Sequence, residues 1–313
     1  MDKWDLIIVG AGPAGLTAGI YGARSGLKVL ILDEKQAGGT LTIIPRIENY
    51  PGFPNGISGS ELARRIVDQC KKFNVEIHEF ESVVRIKFKD GNKIVETDVA
   101  EYPTETIIIA SGSRHKKLGI PGEKEFEGRG VSYCALCDGP LFKGLNVLVV
   151  GGGNTAAMSA IYLADLASKV YLVHRRKWLR AEEIYAKELN EKGIEILWNT
   201  EVKEIKGNSR VERVVLYNNE TNEEWELAID GVFIFVGEEP NSDFAKKSGI
   251  KVNERGYIIV DALQRTNIEG IYAAGDVTVH PIKQIGTAIG QAIVAATEAY
   301  KYVRKPYYAQ NLG

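Results

Sequence analysis

The chain has 313 residues, 44% of them hydrophobic, and a formal net charge of −2. That length fits about two domains of roughly 100–200 residues each, and the near-neutral balance removes any electrostatic case for nucleic acid or a polyanionic surface. No apolar run approaches the roughly 20 residues that span a bilayer, the N-terminus enters a strand too early for a signal peptide, and three cysteines are too few for a stapled secreted scaffold, so a soluble, cytoplasmic protein is expected.

Trp4–Val9 reads as an apolar strand. Gly10-Ala11-Gly12-Pro13-Ala14-Gly15 follows it, then a helix through about Arg24 and a strand Lys28–Leu32. This strand, glycine loop, helix and strand is the context that a dinucleotide fingerprint requires. Gly10 permits the tight turn, Gly12 lets backbone approach a pyrophosphate, and Gly15 lets helix and strand pack closely. Asp33 stands 18 residues after Gly15, where a carboxylate can bind ribose hydroxyls, and Glu34 is a second candidate. The bland alternative is an ordinary strand–turn–helix, which the loop's context and the acid argue against.

Residues 35–58 are polar and rich in Gly and Pro, and read as a long loop, functional or disordered. Gly59–Phe73 is amphipathic and predicted helical, with Cys70 as a buried core thiol. Short strand-like runs follow from Val75 to Ala110, with a turn at Asp90-Gly91-Asn92. Thr106–Ala110 ends in the small-residue turn Ser111-Gly112-Ser113, and Gly112 is a cofactor-site candidate.

Cys134-Ala135-Leu136-Cys137 comes next. In a reducing compartment such a pair is catalytic or metal-binding rather than structural. A metal site needs two further Cys or His ligands at suitable spacing. Cys70 and four scattered His do not supply them, so no metal is expected. Asp138 can carry a thiol proton or simply form the turn before Gly139-Pro140.

A second fingerprint follows. Val147–Val150 is the strand, Gly151-Gly152-Gly153-Asn154-Thr155-Ala156 the loop, Asn154–Leu166 the helix and Lys169–Val173 the next strand. Counting 18 residues from Ala156 reaches His174, with Arg175 and Arg176 next and Arg180 about one helical turn on. Guanidinium groups pair bidentately with a 2′-phosphate, which a carboxylate would repel. The first site therefore reads as NAD- or FAD-like and the second as NADP-like, unless the arginines are only a solvated helix start.

Ile194 to Phe235 is again β-rich and ends in Val236-Gly237, so the chain carries an approximate duplication. Gly270 to Asp276 is a strand closing on the Gly275-Asp276 turn, and Ile285–Val303 is an Ala-rich helix. This tail has no partner strands of its own. It most economically completes the first domain, which makes the second domain an insertion.

These residues resemble the low-molecular-weight, prokaryote-type thioredoxin reductases over nearly the whole length. The resemblance rests on Gly10–Gly15, Gly38-Gly39-Thr40-Leu41, Glu48-Asn49-Tyr50-Pro51-Gly52, and Cys134-Ala135-Leu136-Cys137-Asp138-Gly139. It continues through Gly151–Ala156, His174-Arg175-Arg176 with Arg180-Ala181, and Ala274-Gly275-Asp276-Val277. A cysteine pair in the NADPH domain is its most specific element, since related reductases carry theirs in the FAD domain. The sequence departs from the family's usual pattern at Thr40 (commonly Gln), Leu136 (Thr), Asn154 (Asp), Glu238 (His) and Lys283 (Arg).

The resemblance implies an α/β fold of two Rossmann-like domains, the second inserted into the first. Residues 1–116 and 244–313 would bind FAD, and residues 117–243 would bind NADPH and carry the cysteines. It implies FAD on Gly10, Gly12, Pro13, Ala14, Gly15, Asp33 or Glu34, Gly39, Thr40, Asn49, Gly112, Gly275, Asp276, Val277 and Gln284. It places NADPH on Gly153, Asn154, Thr155, His174, Arg175, Arg176 and Arg180. Cys137 would be the flavin-proximal sulfur, and Cys134 would attack a partner disulfide. A homodimer and an alternating domain rotation are implied, with thioredoxin or a related dithiol protein as partner. Alternatives are a reductase of a glutaredoxin-like protein or peroxiredoxin system, a ferredoxin- or oxygen-reducing flavoenzyme of this fold, and a nucleotide-binding redox sensor without turnover.

Overall fold

The computed structural model describes residues 3–44, 46–89 and 92–305. The turn expected at Asp90-Gly91 lies outside them. The chain divides into two compact units, residues 1–114 with 239–313 and residues 115–238.

The first unit opens with β1 (Trp4–Val9), α1 (Pro13–Arg24), β2 (Val29–Leu32), α2 (Gly59–Lys72) and β3 (Glu76–His78). It continues with β4 (Val83–Lys89), β5 (Asn92–Thr97) and β6 (Glu101–Ile109). The sheet order is β3-β2-β1-β6-β5-β4. β1 runs parallel to β2 and β6, with Leu6 opposite Val29 and Thr106. Leu6, Ile7 and Ile8 are fully buried, because helices or loops cover both faces of a parallel sheet. Each such side chain contributes about 1.5–3 kcal/mol relative to exposure.

The stretch read as a long loop is more ordered than its composition suggests. Gly39–Ile43 is a 3₁₀ turn, and Ile47 pairs with Ile57. Leu41 and Ile47 bury against Leu62 and Ala63 of α2. These apolar residues are spaced too irregularly to read as a helix or a strand.

After β7 (Ser113–His115) come β8 (Val131–Ser132), α3 (Ala135–Asp138), β9 (Asn146–Gly151), α4 (Asn154–Ala164) and β10 (Lys169–His174). Then follow α5 (Glu183–Glu191), β11 (Glu195–Trp198), β12 (Thr200–Gly207), β13 (Val211–Asn218), β14 (Glu224–Ala228) and β15 (Gly231–Phe235). The second unit is built on a parallel sheet in the order β11-β10-β9-β15-β8, with an antiparallel β12-β13-β14 sheet beside it. One core joins β9, β10 and β15 to the antiparallel sheet, and the other lies under α4 and α5. The chain leaves this unit through β16 (Glu238–Pro240), which pairs with β7.

α6 (Asp243–Lys247), β17 (Ile271–Ala273) and α7 (Ile285–Arg304) then complete the first unit. β6 accommodates the return by changing neighbours along its length. Its start pairs antiparallel with β5, and Ile107–Ile109 pair in parallel with β17. Ala292, Ala295, Ala296 and Ala299 of α7 bury into the same core as α1. Their small side chains permit close helix approach.

Candidate active site: two glycine loops and a redox dithiol

In the first unit the glycine loop leads from β1 into α1. A Cβ on Gly15 would run into the Gly10 carbonyl, so only glycine lets the helix sit that close. Gly12 is the N-cap of α1 and supplies no side-chain acceptor, which leaves the helix start suited to an anionic phosphate. Gly39 faces it: a Cβ there would lie 2.8 Å from the Gly12 Cα. Gly275 backs onto Ala14, and its N–H donates to the buried Gln291 Oε1 at 2.7 Å. Asn49 Nδ2 donates to Gln284 Oε1 at 3.1 Å, joining two candidates 235 positions apart. Asp276 and Val277 form the turn after β17, with Val277 buried and Asp276 half-buried. Lys283 Nζ donates to the Asp276 and Thr278 carbonyls at 3.1 and 2.6 Å. Thr40 is exposed on the 3₁₀ turn, and Gly112 accepts from Asn241 N at 3.0 Å.

The two acids at the end of β2 separate. Asp33 is drawn into the loop: Oδ2 accepts from Ala11 N at 2.5 Å and Oδ1 from Lys35 N at 2.8 Å. Burial raises its pKa, and those two N–H donors oppose the rise. Glu34 is exposed, with Lys35 at 3.5 Å. Glu79, which the sequence reading passed over, accepts from Ala37 N at 2.7 Å and holds the chain entering Gly38-Gly39.

The second unit repeats the backbone with different partners. Gly153 caps α4 without a side-chain acceptor, and Thr155 is exposed beside it. Asn154 clasps Glu182: its Nδ2 donates to Oε1 at 2.6 Å and its Oδ1 accepts Glu182 N at 2.8 Å. The Gly152 carbonyl accepts from Arg180 N and Ala181 N at 2.6 and 3.1 Å. Together these bonds tie residues 180–182 to the glycine loop and bring Arg180 beside it. Nothing in the sequence around Glu182 signals that clasp.

Arg175, Arg176 and Arg180 are exposed, whereas His174 is 6% exposed. The imidazole sits where a Cβ on Gly152 would be, and its Nε2 is buried with no hydrogen-bond partner. Burial lowers its pKa, Arg180 and then Arg176 add to the effect, and hydrogen bonds to the Trp178 and Gly151 backbones oppose it. His174, at the head of the basic run, is therefore a buried ring beneath the loop rather than part of the exposed cluster.

Cys134 and Cys137 form a disulfide across the start of α3. Cys137 is exposed and Cys134 half-buried. The Cys137 N–H donates to Cys134 Sγ at 3.1 Å. Asp138 Oδ2 accepts from Ser132 Oγ at 2.7 Å, and that hydroxyl accepts Cys134 N at 3.0 Å. Ser132 thus links acid and cysteine, a role the sequence reading missed. Cys70 lies apart in the first unit's core, where burial pushes its thiol up to about 12.

Two glycine-loop units and a dithiol define a class: oxidoreductases that move electrons between a nucleotide and a disulfide. The family model described as "Pyridine nucleotide-disulphide oxidoreductase" matches residues 4–299. The chain belongs to that family. It is 42% identical to the thioredoxin reductase of Bacillus subtilis over 304 residues, 96% of this chain and 95% of that protein. The crystal structure of Lactococcus lactis thioredoxin reductase matches with a TM-score of 0.94 and 42% identity, covering 97% of this chain and all of that one. The crystal structure of T. acidophilum thioredoxin reductase matches with a TM-score of 0.92 and 42% identity, covering 96% of this chain and 99% of that one.

Proposed function

We propose that the chain is an NADPH-dependent flavoprotein disulfide reductase that passes electrons through FAD and Cys134–Cys137 to thioredoxin or a related dithiol protein. The observation that carries this reading is the disulfide in the same unit as a glycine loop bordered by three exposed arginines.

The residues fit both cofactors. In the first unit, Gly12 and Gly39 leave a cradle that a side chain at either position would fill. Asn49, Gln284, Asp276 and the exposed Glu34 would supply polar groups to FAD, and Asp33 braces the loop. In the second, the orphaned His174 Nε2 and exposed Arg175, Arg176 and Arg180 suit a phosphorylated ribose. Gly153, Asn154 and Thr155 start the helix beneath a pyrophosphate. Bound FAD supplies two-electron transfer from NADPH to a disulfide.

The dithiol chemistry follows from the cysteines' surroundings. Once the pair is reduced, the Cys137 N–H favours the charged form of Cys134 Sγ. That thiolate attacks one sulfur of the partner disulfide, and the other partner sulfur leaves as a thiolate. Cys137, deprotonated, then attacks Cys134 Sγ, which expels the second partner thiolate and re-forms the Cys134–Cys137 bond. Asp138, held by Ser132, is placed to take the thiol proton and return it to a leaving sulfur. Leu141 is 76% exposed just beyond α3 and offers an apolar contact to a docked protein.

The assignment extends to an FAD domain of residues 1–116 and 244–313, an NADPH domain of residues 117–243, a homodimer and a cytoplasmic location. Among the described residues, no helix is long and apolar enough to cross a membrane. The test is reduction of thioredoxin driven by NADPH or by NADH, with bound flavin measured in the purified protein. NADPH-driven reduction by a yellow protein is expected. A protein that binds no FAD on reconstitution, or never reduces a protein disulfide, overturns the reading.

A further inference from the structure

The dithiol segment begins where the chain leaves the edge of a sheet. β8 is two residues long, and its pairing with β15 ends at Ser132 opposite Phe233. Beyond that point, Cys134 N donates to Ser132 Oγ and Asp138 N donates to the Cys134 carbonyl at 3.2 Å. These bonds close the segment on itself. Ala135 anchors its far side in the core under α4 and α5. Tyr133 anchors the near side. Its hydroxyl donates to Glu123 Oε1 at 2.8 Å, the His115 ring stacks on it with centroids 6.1 Å apart, and Lys117 Nζ lies 5.5 Å from its centroid.

Glu123 is built to receive that hydroxyl. It is 2% exposed, and its oxygens also accept Leu118 N at 2.9 Å and Gly119 N at 2.6 Å, as a buried carboxylate requires. The turn that carries it is wedged against β12. Ile205 N donates to the Pro121 carbonyl at 3.0 Å, and a Cβ on Gly122 would strike the Ile205 carbonyl. Burial, and then the bond to Glu123, raise the Tyr133 pKa, so the phenol keeps its proton and serves as a strut rather than a proton carrier. We propose that Tyr133 is a positioning residue of the dithiol: through Glu123 it ties the backbone before Cys134 to β12 and keeps Cys134 Sγ within reach of Cys137. This rests on Cys134–Cys137 being the redox pair of a disulfide reductase.

The strut matters when the sulfur–sulfur bond is open. While the bond is closed, it fixes both sulfurs by itself. In the mixed disulfide with a partner, the Cys137 thiolate must attack Cys134 Sγ and expel the partner's sulfur as a thiolate. How readily it does so depends on how closely the backbone holds the pair. A looser segment lowers the effective concentration of one sulfur at the other. Release of the reduced partner then slows, and the equilibrium between disulfide and dithiol moves toward the dithiol. Hydride transfer from nucleotide to flavin makes no use of the strut.

The experiment compares the FAD-loaded unmodified protein with Tyr133→Phe, which keeps the ring against His115 and Lys117 and removes only the hydroxyl. Each is equilibrated with mixtures of reduced and oxidised glutathione. There the protein disulfide and two glutathione thiols exchange for the protein dithiol and one glutathione disulfide, and the free thiols are trapped by alkylation and counted by mass. In Tyr133→Phe the equilibrium constant should move about three- to tenfold toward the dithiol, as loss of one hydrogen bond allows, or at most about 30 mV. The kcat for thioredoxin should fall by a similar factor with KM nearly unchanged, and NADPH-driven reduction of a small artificial acceptor should persist. Glu123→Gln should move the constant likewise, and the double variant no further than either single one, because the same strut is cut. A constant in Tyr133→Phe within about twofold of the unmodified protein's, whatever happens to the melting temperature, overturns the proposal and leaves the phenol a structural group only. Should Glu123→Gln fail to fold, Tyr133→Phe decides alone. The glutathione equilibrium uses neither thioredoxin nor NADPH, so a protein that shows the shift but reduces no thioredoxin overturns the functional reading and leaves the strut standing.

Discussion

The two glycine loops share a backbone design but fold opposite charges into it. In the first unit, the residue ending the second strand is an acid whose oxygens accept Ala11 N and Lys35 N. In the second, the equivalent residue is a buried imidazole, and the exposed charges beyond it are arginines. The bracing differs as well. Glu79 and Gln291 hold the first site from distant strands and helices, whereas the Asn154–Glu182 clasp holds the second from the adjoining segment. A fingerprint thus specifies where a pyrophosphate goes. What is done with the ribose is decided by a few side chains outside it.

The dithiol belongs to the second unit alone, and removing it should separate the two halves of the chemistry most completely. Cys134→Ser should cut thioredoxin reduction by more than about 10³-fold, as loss of a nucleophile does. NADPH-driven reduction of a small artificial acceptor should persist, because that step involves no sulfur. Cys137→Ser should behave alike and also abolish any thiolate–flavin charge-transfer band. Substantial protein-disulfide reduction by either variant would show that the Cys-x-x-Cys is incidental.

The next effect should fall on one loop at a time. Gly39→Ala forces a Cβ to 2.8 Å from the Gly12 Cα at a positive φ of 57°. Strain of about 1–3 kcal/mol, a factor of roughly 5–150, should appear as weakened FAD retention. Gly152→Ala drives a methyl into the His174 ring and should weaken NADPH binding while leaving flavin content unchanged. Flavin loss from Gly152→Ala, or weakened NADPH with full flavin from Gly39→Ala, would reverse the assignment of the sites.

What the sequence revealed follows from the range of each interaction. Fingerprints, flanking strands and the Ala-rich closing helix were legible because loop geometry and packing periodicity act over a few residues. The bracing contacts were not, since Asn49 meets Gln284 across 235 positions and Glu79 reaches back to Ala37. A Gln set among the helically spaced alanines Ala288, Ala292, Ala295 and Ala299 of α7 was a usable signal for Gln291. His174 misled because its neighbours are arginines. Charge was read along the chain, while the strand's alternation turned this residue inward.

Arginine loss should have a smaller effect confined to the second loop. A charged bidentate bond is worth roughly 1.5–3 kcal/mol, so Arg176→Ala or Arg180→Ala should lower kcat/KM for NADPH by about tenfold or more. The value for NADH should hardly move. An equal loss for both nucleotides would mean that the arginines position the loop rather than read the phosphate.

The smallest effect expected is on stability without nucleotide, and its sign follows from the imidazole being held neutral. The folded-state pKa of His174 lies below its ordinary value of 6.5. Between those two values the unfolded chain binds more protons than the folded one, so stability rises with pH across that window. The contribution is fully present above about pH 6.5 and is lost as pH falls toward the folded-state pKa. Other groups titrate in the same range, so the informative quantity is the difference between two proteins. The melting temperature of the unmodified, nucleotide-free protein should fall more steeply as the pH drops below about 6.5 than that of His174→Gln. Identical slopes for the two proteins would show that His174 only fills space beneath Gly152 and that its burial costs the imidazolium nothing.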